Sequence, residues 1–321
     1  MKSSAERVSD LIRVSRLYYL DHIKQAEISD ALHIHRTEIS RMLNEARRLG
    51  IVKITVDATY GSVQELSEWL QEKFSLQSAL IVPGEPNASY LDCLTKVGLY
   101  MDSYLHSMIR SNARVGVSWG LSLAVVVDSF RHDVFPKGVT VVPLIGGPRG
   151  VLPTAYQANA IAYKMASRIT GGQPFLLDSP GIVTRSGLTD ELLRNPNVKN
   201  VEDIWKHLDV AVLGIGSSQS SGTRSWRQFY KGTLFAEGLD KAAVGDVLAR
   251  PFTEQGVILD VPDVEVVGIQ LDDLRRVPRR VGVALGKVKA RAILGALRSG
   301  LVTDLVTDRA TAEEMKALAL P

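Results

Sequence analysis

The sequence predicts an α/β protein built in two parts, a small N-terminal helix-turn-helix domain followed by a larger α/β domain. Between Gln25 and Leu49 apolar residues recur at helical spacing around a corner at His33, Ile34 and His35. From Leu76 onward, short apolar runs alternate with helix-period segments, which predicts a parallel sheet covered on both faces. At 321 residues the chain exceeds one typical domain and can bury a large core.

Composition narrows the class. With 45% apolar and 23% charged residues the chain has an ordinary globular make-up. Its one cysteine, Cys93, cannot form an internal disulfide and reads as a small buried hydrophobe rather than a catalytic thiol. No run of about 18 apolar residues occurs, and the N-terminus is charged where a signal peptide needs its apolar region. A cytoplasmic protein with no membrane partner is therefore expected. The six histidines show no paired metal-ligand spacing, and neither a metal nor a cofactor is expected.

Taken in order, residues 7–20 place Val8, Leu11, Ile12, Ser15 and Tyr18 or Tyr19 on one helical stripe, a supporting helix. The segment from Gln25 to Leu32 offers Ile28, Ala31 and Leu32 for packing. The next helix repeats Ile39, Met42, Leu43, Ala46 and Leu49 as its buried stripe, so Thr37, Ser40, Arg41, Asn44 and Arg48 gather opposite. Hydroxyl, amide and guanidinium groups in that arrangement can bond phosphate oxygens and base edges in a major groove. With Gln25 and Arg36 at the two helix starts, these are the candidate DNA contacts. An ordinary helical hairpin with a solvated face would show the same periodicity. Charge argues for the DNA reading: Arg36, Arg41, Arg47, Arg48 and Lys53 stand against Glu38 and Glu45, and this excess equals the +3 of the entire chain.

Gly50 suits a left-handed cap, and Ile51–Val56 alternates as a short strand. The first domain is thus residues 1–57. Residues 58–75 hold a charged amphipathic helix after Gly61, with Ser62 a candidate cap, and read as a linker helix or a solvated spacer.

In the second domain, 76–321, several strands end in glycine turns: Gly116–Ser122, Gly146 with Gly147, Gly214–Gly216, and Gly286. Ligands of parallel sheets sit beyond such strand ends. In GVSWGLSL, Ser118, Gly120 and Ser122 lead into a helix, a place suited to a phosphate, although a plain turn would use the same glycines. Lys289 follows Gly286 at another strand-to-helix turn, with Asp246 upstream. Residues 217–232, with Arg224, Arg227 and Lys231, read as an exposed loop able to close over an anion, or as a loop with no such role.

These segments together carry a resemblance over essentially the whole chain. LYYLDHIKQAEISDALHIHRTEISRMLNEARRLGIVKI, VGVSWGLSL, PLIGG, YQANAIA, DVAVLGIG, AAVGDVLARPF and VGVALGKVKARAILGALRSGLVTDLVTDRATAEEM resemble, in order and spacing, the SorC family (SorC/DeoR-like) of sugar-responsive bacterial transcription regulators. The resemblance implies a Rossmann-like effector domain similar to sugar-phosphate isomerases and deaminases. It implies a phosphate loop at Ser118, Gly120 and Ser122, sugar contacts at Gly146, Gly147 and Gln157, an acidic contact at Asp246 and a phosphate-facing Lys289. Two positions depart from the family. Leu285 replaces the first of two adjacent glycines, and His35 stands where a serine commonly caps the reading helix.

The function expected is a DNA-binding regulator of carbohydrate or polyol catabolism, its operator binding switched by a phosphorylated sugar effector. Its partners would be double-stranded operator DNA, a sugar or polyol phosphate, and copies of itself, a tetramer by the resemblance. One alternative is an isomerase- or deaminase-like enzyme with a helical appendage, in which Asp246 and Lys289 would serve as base. Another is a constitutive DNA-binding protein with a vestigial pocket.

Overall fold

The computed structural model of the chain describes residues 4–19, 21, 23–52, 60–85, 88–130, 136–148, 153–184, 187–219, 242–262 and 264–319. The chain divides into two compact units, Met1–Ala58 and Thr59–Pro321.

The first unit contains α1 (Ser4–Tyr19), α2 (Gln25–Leu32) and α3 (Arg36–Arg48). Leu11, Val14, Ile28, Ile39, Met42, Leu43 and Ala46 close one core between them. The expected α3 stripe is buried except for Leu49, which caps the helix and is 54% exposed. On α1 the buried positions are Leu11, Val14 and Ser15, while Val8 and Ile12 are exposed, as is Ala31 on α2. A three-helix core this small covers a narrower stripe of each helix than periodicity alone suggests. Ile51 and Val52 form a bend rather than a strand, and the rest of the strand expected at 51–56 lies outside the described residues.

The second unit begins with α4 (Tyr60–Phe74). Val63, Leu66 and Leu70 are buried in its core, and Ser67 Oγ donates to the Ala79 carbonyl at 2.6 Å. The segment expected as a linker or spacer is therefore a wall of this unit, because its apolar stripe packs in one core with Ala79 and Ile81 of β1 and Ser67 bonds that strand. The chain continues through β1 (Ser78–Val82), α5 (Tyr90–Met108), β2 (Arg114–Val117), α6 (Leu121–Asp128), β3 (Thr140–Pro143), α7 (Ala158–Ser167), β4 (Gln173–Pro174) and β5 (Ile182–Val183). Then come α8 (Leu188–Leu193), α9 (Pro196–Trp205), β6 (Val210–Gly214), β7 (Gly216–Ser217), β8 (Gly245–Val247), β9 (Arg250–Phe252) and β10 (Glu265–Val266). A helix at Leu271–Arg276, β11 (Arg279–Val283), a helix at Ala290–Arg298, β12 (Asp304–Asp308) and a helix at Arg309–Ala319 complete it.

Among the described residues, seven strands form one parallel sheet in the order β1-β12-β11-β6-β2-β3-β4. Its strands read as unbroken apolar runs because both faces are covered. Val115, Val117, Val210, Val212, Val281 and Val283 face α5, α6 and α7. Ala211, Leu213 and Leu305 face α4, α9 and the last two helices. From β2 the chain steps outward to β3 and β4, then returns to β6 on the other side of β2 and steps the opposite way. The order reverses between β2 and β6, so a crevice opens beyond their carboxyl ends.

The amino ends of β11 and β12 are locked instead. Asp304, fully buried, accepts from Arg279 Nε at 3.0 Å and Nη2 at 2.5 Å and from the Tyr104 hydroxyl at 2.9 Å. Burial, joined by the nearby Asp304 charge, pushes the Tyr104 phenol up to about 12 from an ordinary 10.0. An unfolded phenol ionises near the ordinary value while the folded one resists. The stability from this proton is intact below about pH 10 and is lost as pH rises towards 12. Urea unfolding at about pH 9 and about pH 11.5 should show a larger loss in the parent than in Tyr104→Phe, by about 2 kcal/mol or less.

Candidate functional site

In the N-terminal unit, the handover from α2 to α3 sets the reading helix. His33 ends α2 in the left-handed region, with φ of 54°, and His35 stands just outside α3 as its cap. Nδ1 of His35 accepts from the Thr37 amide at 3.4 Å and lies 2.7 Å from Thr37 Oγ1. A ring nitrogen thus takes the place of the serine oxygen common in the family, provided the ring is neutral with its proton on Nε2.

With the apolar stripe buried, α3 turns Arg36, Thr37, Arg41, Asn44 and Arg48 to solvent, with Ser40 half-buried among them. Gln25, at the start of α2, is half-buried as well. The Arg41 side chain is 80% exposed, and Glu38 draws it weakly at 3.9 Å. Glu38 and Glu45 are in turn held by Arg7 of α1 at 3.2 and 2.6 Å. Exposed pairs contribute only about 0–1 kcal/mol each, so these aim side chains more than they hold the fold. Arg47 donates to the Asn44 carbonyl oxygen, a bond that does not engage the Asn44 amide nitrogen, a donor on an exposed residue.

In the larger unit Ser118, Gly120 and Lys289 lie on turns beyond strand ends, Ser122 in the first turn of α6, Gln157 at the start of α7 and Asp246 on β8. Ser118, 1% exposed, follows β2, and its Oγ accepts from the Gly214 amide at 2.8 Å, tying the ends of β2 and β6. Gly120, at φ 118°, opens α6, and its amide donates to the Tyr156 carbonyl at 2.8 Å. That bond brings Gln157, the cap of α7, beside the turn that holds Ser122. On the far side of β6, Lys289 Nζ donates to the Ile215 carbonyl at 3.4 Å. Asp246 on β8 faces Gly216, with its carboxylate where a Cβ on Gly216 would stand, and its Oδ2 accepts from the Ala249 amide at 3.2 Å.

Gly146 and Gly147, like Gly120, use their amides inside the protein. Their amides donate to the Val267 and Ser179 carbonyls at 2.9 and 2.7 Å, so these donors are committed within the protein. A Cβ on Gly146 would meet the Ser179 and Pro180 carbonyls at 2.5 Å, so the residue serves the close approach of two loops. Leu285 is fully buried in the core, and Gly286 alone takes the left-handed conformation, at φ 101°. The departure at Leu285 therefore leaves the backbone turn itself intact. Of the expected loop 217–232, residues 220–232, with Arg224, Arg227 and Lys231, lie outside the described residues.

Two side chains at the crevice escaped sequence reasoning. A Cβ on Gly181 would stand 3.1 Å from the Trp119 ring and 2.7 Å from the Gly146 carbonyl, so Trp119 of the turn after β2 packs on the segment leading into β5, which in turn lies against the loop after β3. Tyr90 Oη lies 3.2 Å from Ser122 Oγ. The pattern of Ser89 and Asp92 signals a helix start at Tyr90, but nothing local ties it to Ser122.

A separate cleft of about 370 Å³ lies beyond β1 and β12 and contains none of the expected residues. Its carboxylates are engaged: Glu85 with Lys96 at 2.8 Å, Asp92 in the α5 cap, and Asp308 accepting from the Thr311 amide at 2.8 Å. Burial and the charges of Asp308, Asp92 and Glu85 push the Cys93 thiol up, which disfavours a nucleophilic thiolate. Among the described residues, no cluster of His, Cys, Asp or Glu could hold a metal ion, and no helix is long and apolar enough to cross a membrane.

Residues 59–316 match the family model described as "Putative sugar-binding domain". The chain is 30% identical to the Sorbitol operon regulator of Klebsiella pneumoniae over 305 residues, 94% of this chain and 96% of that protein. It is 29% identical to the Transcriptional regulator LsrR of Escherichia coli over 304 residues, 94% and 92% of the two chains. The crystal structure of the full-length sorbitol operon regulator SorC from Klebsiella pneumoniae matches with a TM-score of 0.81 at 28% identity, covering 98% of this chain and 99% of that one. These relatives are transcriptional regulators, not enzymes.

The cap of α3 is open to a direct check. His35→Ala should lower the stability of the N-terminal unit by about 1 kcal/mol, and His35→Ser should restore most of it. Thermal melts followed by circular dichroism on the full chain measure both.

Proposed function

The chain belongs to the SorC family of transcriptional regulators with a sugar-binding domain, and on that premise we propose a DNA-binding switch thrown by a phosphorylated sugar or polyol. The N-terminal unit reads operator DNA and the larger unit binds the effector. The observation that carries the reading is α3 itself, a helix buried along one stripe and turning Arg36, Thr37, Arg41, Asn44 and Arg48 outward. In a major groove, Arg41 and Asn44 suit base edges while Arg36, Thr37 and Arg48 suit phosphates, with Ser40 and Gln25 at the margin.

For the effector, the reading rests on the convergence of Ser118, Ser122, Gly120 and Lys289 around the end of β6. Hydroxyls, first-turn amides of α6 and one ammonium form a set matched to a phosphate dianion. Asp246 and Gln157 suit sugar hydroxyls on the same crevice, and Gly146 and Gly147 shape its floor. The regulator acts in the cytoplasm, where operator DNA lies. A single three-helix unit makes too few phosphate contacts for regulatory affinity at cellular salt, so the working form is an oligomer, a tetramer of paired dimers on half-sites. Effector binding shifts how those copies are placed, and with them the spacing of their reading helices. Against the enzymatic alternative, Asp246 accepts from the Ala249 amide and Lys289 donates to the Ile215 carbonyl, so each is engaged with the backbone.

Two variants separate the halves of the switch. Arg41→Ala should weaken operator binding by about 1–3 kcal/mol while leaving effector binding unchanged, as read by gel shift and calorimetry. Lys289→Ala should keep operator affinity and lose about tenfold to a hundredfold in affinity for the phosphorylated effector. An Arg41→Ala protein that binds operator DNA as the parent does would place that side chain outside the groove.

A further inference from the structure

Tyr90 opens α5, where it is fixed by a reciprocal cap. Ser89 Oγ accepts from the Asp92 amide at 3.2 Å, and the Asp92 carboxylate accepts from the Ser89 amide at 3.2 Å. From that fixed start the side chain reaches two turns belonging to different strands. Its hydroxyl lies 3.2 Å from Ser122 Oγ, in the turn after β2. Its ring stands over the turn after β11, where a Cβ on Gly286 would be 3.7 Å from Tyr90 Cε2. Since β2 and β11 flank β6, Tyr90 bridges the two sides of the crevice that hold Ser122 and Lys289.

We propose that Tyr90 is a phosphoryl-binding residue of this crevice, its hydroxyl accepting from Ser122 Oγ and donating to the same anion as Lys289, and its ring limiting the space open to that group. The inference rests on the reading that the effector is phosphorylated. When two hydroxyls hydrogen-bond, one donates and the other accepts, so one proton of the pair remains for a further acceptor. A phosphate oxygen is the acceptor that gains most from it. Tyr90 is 39% exposed, so the residue borders solvent at the crevice. Its position is also rigid. Leu94, Val97, Met101 and Leu105 seat α5 in the core, and a Cβ on Gly98 would come within 2.6 Å of Ser129 Cβ at the end of α6. The helices that bear the two hydroxyls therefore pack as one body, and the donor pair is set before a ligand arrives. The ring stands over the Gly286 turn, three residues before Lys289.

The test is calorimetry on the full-length protein with inorganic phosphate and with hexose, pentose and hexitol phosphates, each beside its unphosphorylated form. Tyr90→Phe keeps the ring and removes the donor. Affinity for the phosphorylated compounds and for inorganic phosphate should fall about tenfold or more, with the ligand-free melting temperature and any binding of unphosphorylated sugars unchanged. If Lys289→Ala loses phosphate binding and Tyr90→Phe does not, the assignment of Tyr90 is overturned and the phosphate site stands. If Tyr90→Phe weakens phosphorylated and unphosphorylated sugars alike, Tyr90 is only a structural prop and the proposal fails. If the parent binds no phosphorylated compound, the phosphorylated-effector reading falls and Tyr90 falls with it.

Discussion

One hydrogen bond holds together the place on which the larger unit depends, the bond from the Gly214 amide to Ser118 Oγ at 2.8 Å. It joins the ends of β2 and β6, where the strand order reverses and the two crossovers diverge. A parallel sheet splays its connections apart at such a point, so a crevice is a consequence of topology rather than of any single side chain. The splaying would also strand backbone groups in a dry interior. Ser118, nearly fully buried, satisfies one of them from within the crevice, at a position where an apolar side chain would leave the Gly214 amide without that partner.

Around that bond, small residues allow backbones to meet. A Cβ on Gly214 would stand 3.0 Å from the Trp119 carbonyl, and one on Gly216 would collide with the Asp246 carboxylate. The β7–β8–β9 hairpins can thus lie against the end of β6, and Asp246 and Lys289 come to flank the same short segment, Gly214–Gly216. Close packing also explains why Gly146 and Gly147 behave as scaffold. Their amides bond across to Val267 and Ser179, so the loop after β3 is stitched to its neighbours and forms a floor rather than a set of free donors.

The N-terminal unit follows a simpler constraint. Three short helices can bury only a few side chains, and here Leu11, Val14, Ile28, Ile39, Met42, Leu43 and Ala46 suffice. The polar positions of α3 lie outside that contact, and the cap at His35 and the Arg7 ion pairs with Glu38 and Glu45 steady the helix while Arg36, Thr37, Arg41, Asn44 and Arg48 stay exposed. The same residues that make the core small make the reading face wide.

The sequence by itself determined what depends on local order: the helical period of α3, the alternation of apolar runs that makes a doubly covered sheet, and the glycine turns at strand ends. Those signals are short-range, set by side-chain direction along one element, and they mark the stretch from Ser118 to Ser122 and the turn before Lys289 as the ends of strands leading into helices. Tertiary structure decided the rest. It buried Val14 and left Val8 and Ile12 exposed, because the width of a buried stripe depends on which neighbour it meets. It drew α4 into the larger unit, because Ala79 and Ile81 of β1 offered an apolar surface to its buried stripe. It also set Tyr90 against Ser122, 32 residues apart in the chain. Contacts of that kind arise from the packing of α5 on α6, and no periodicity within either helix encodes them.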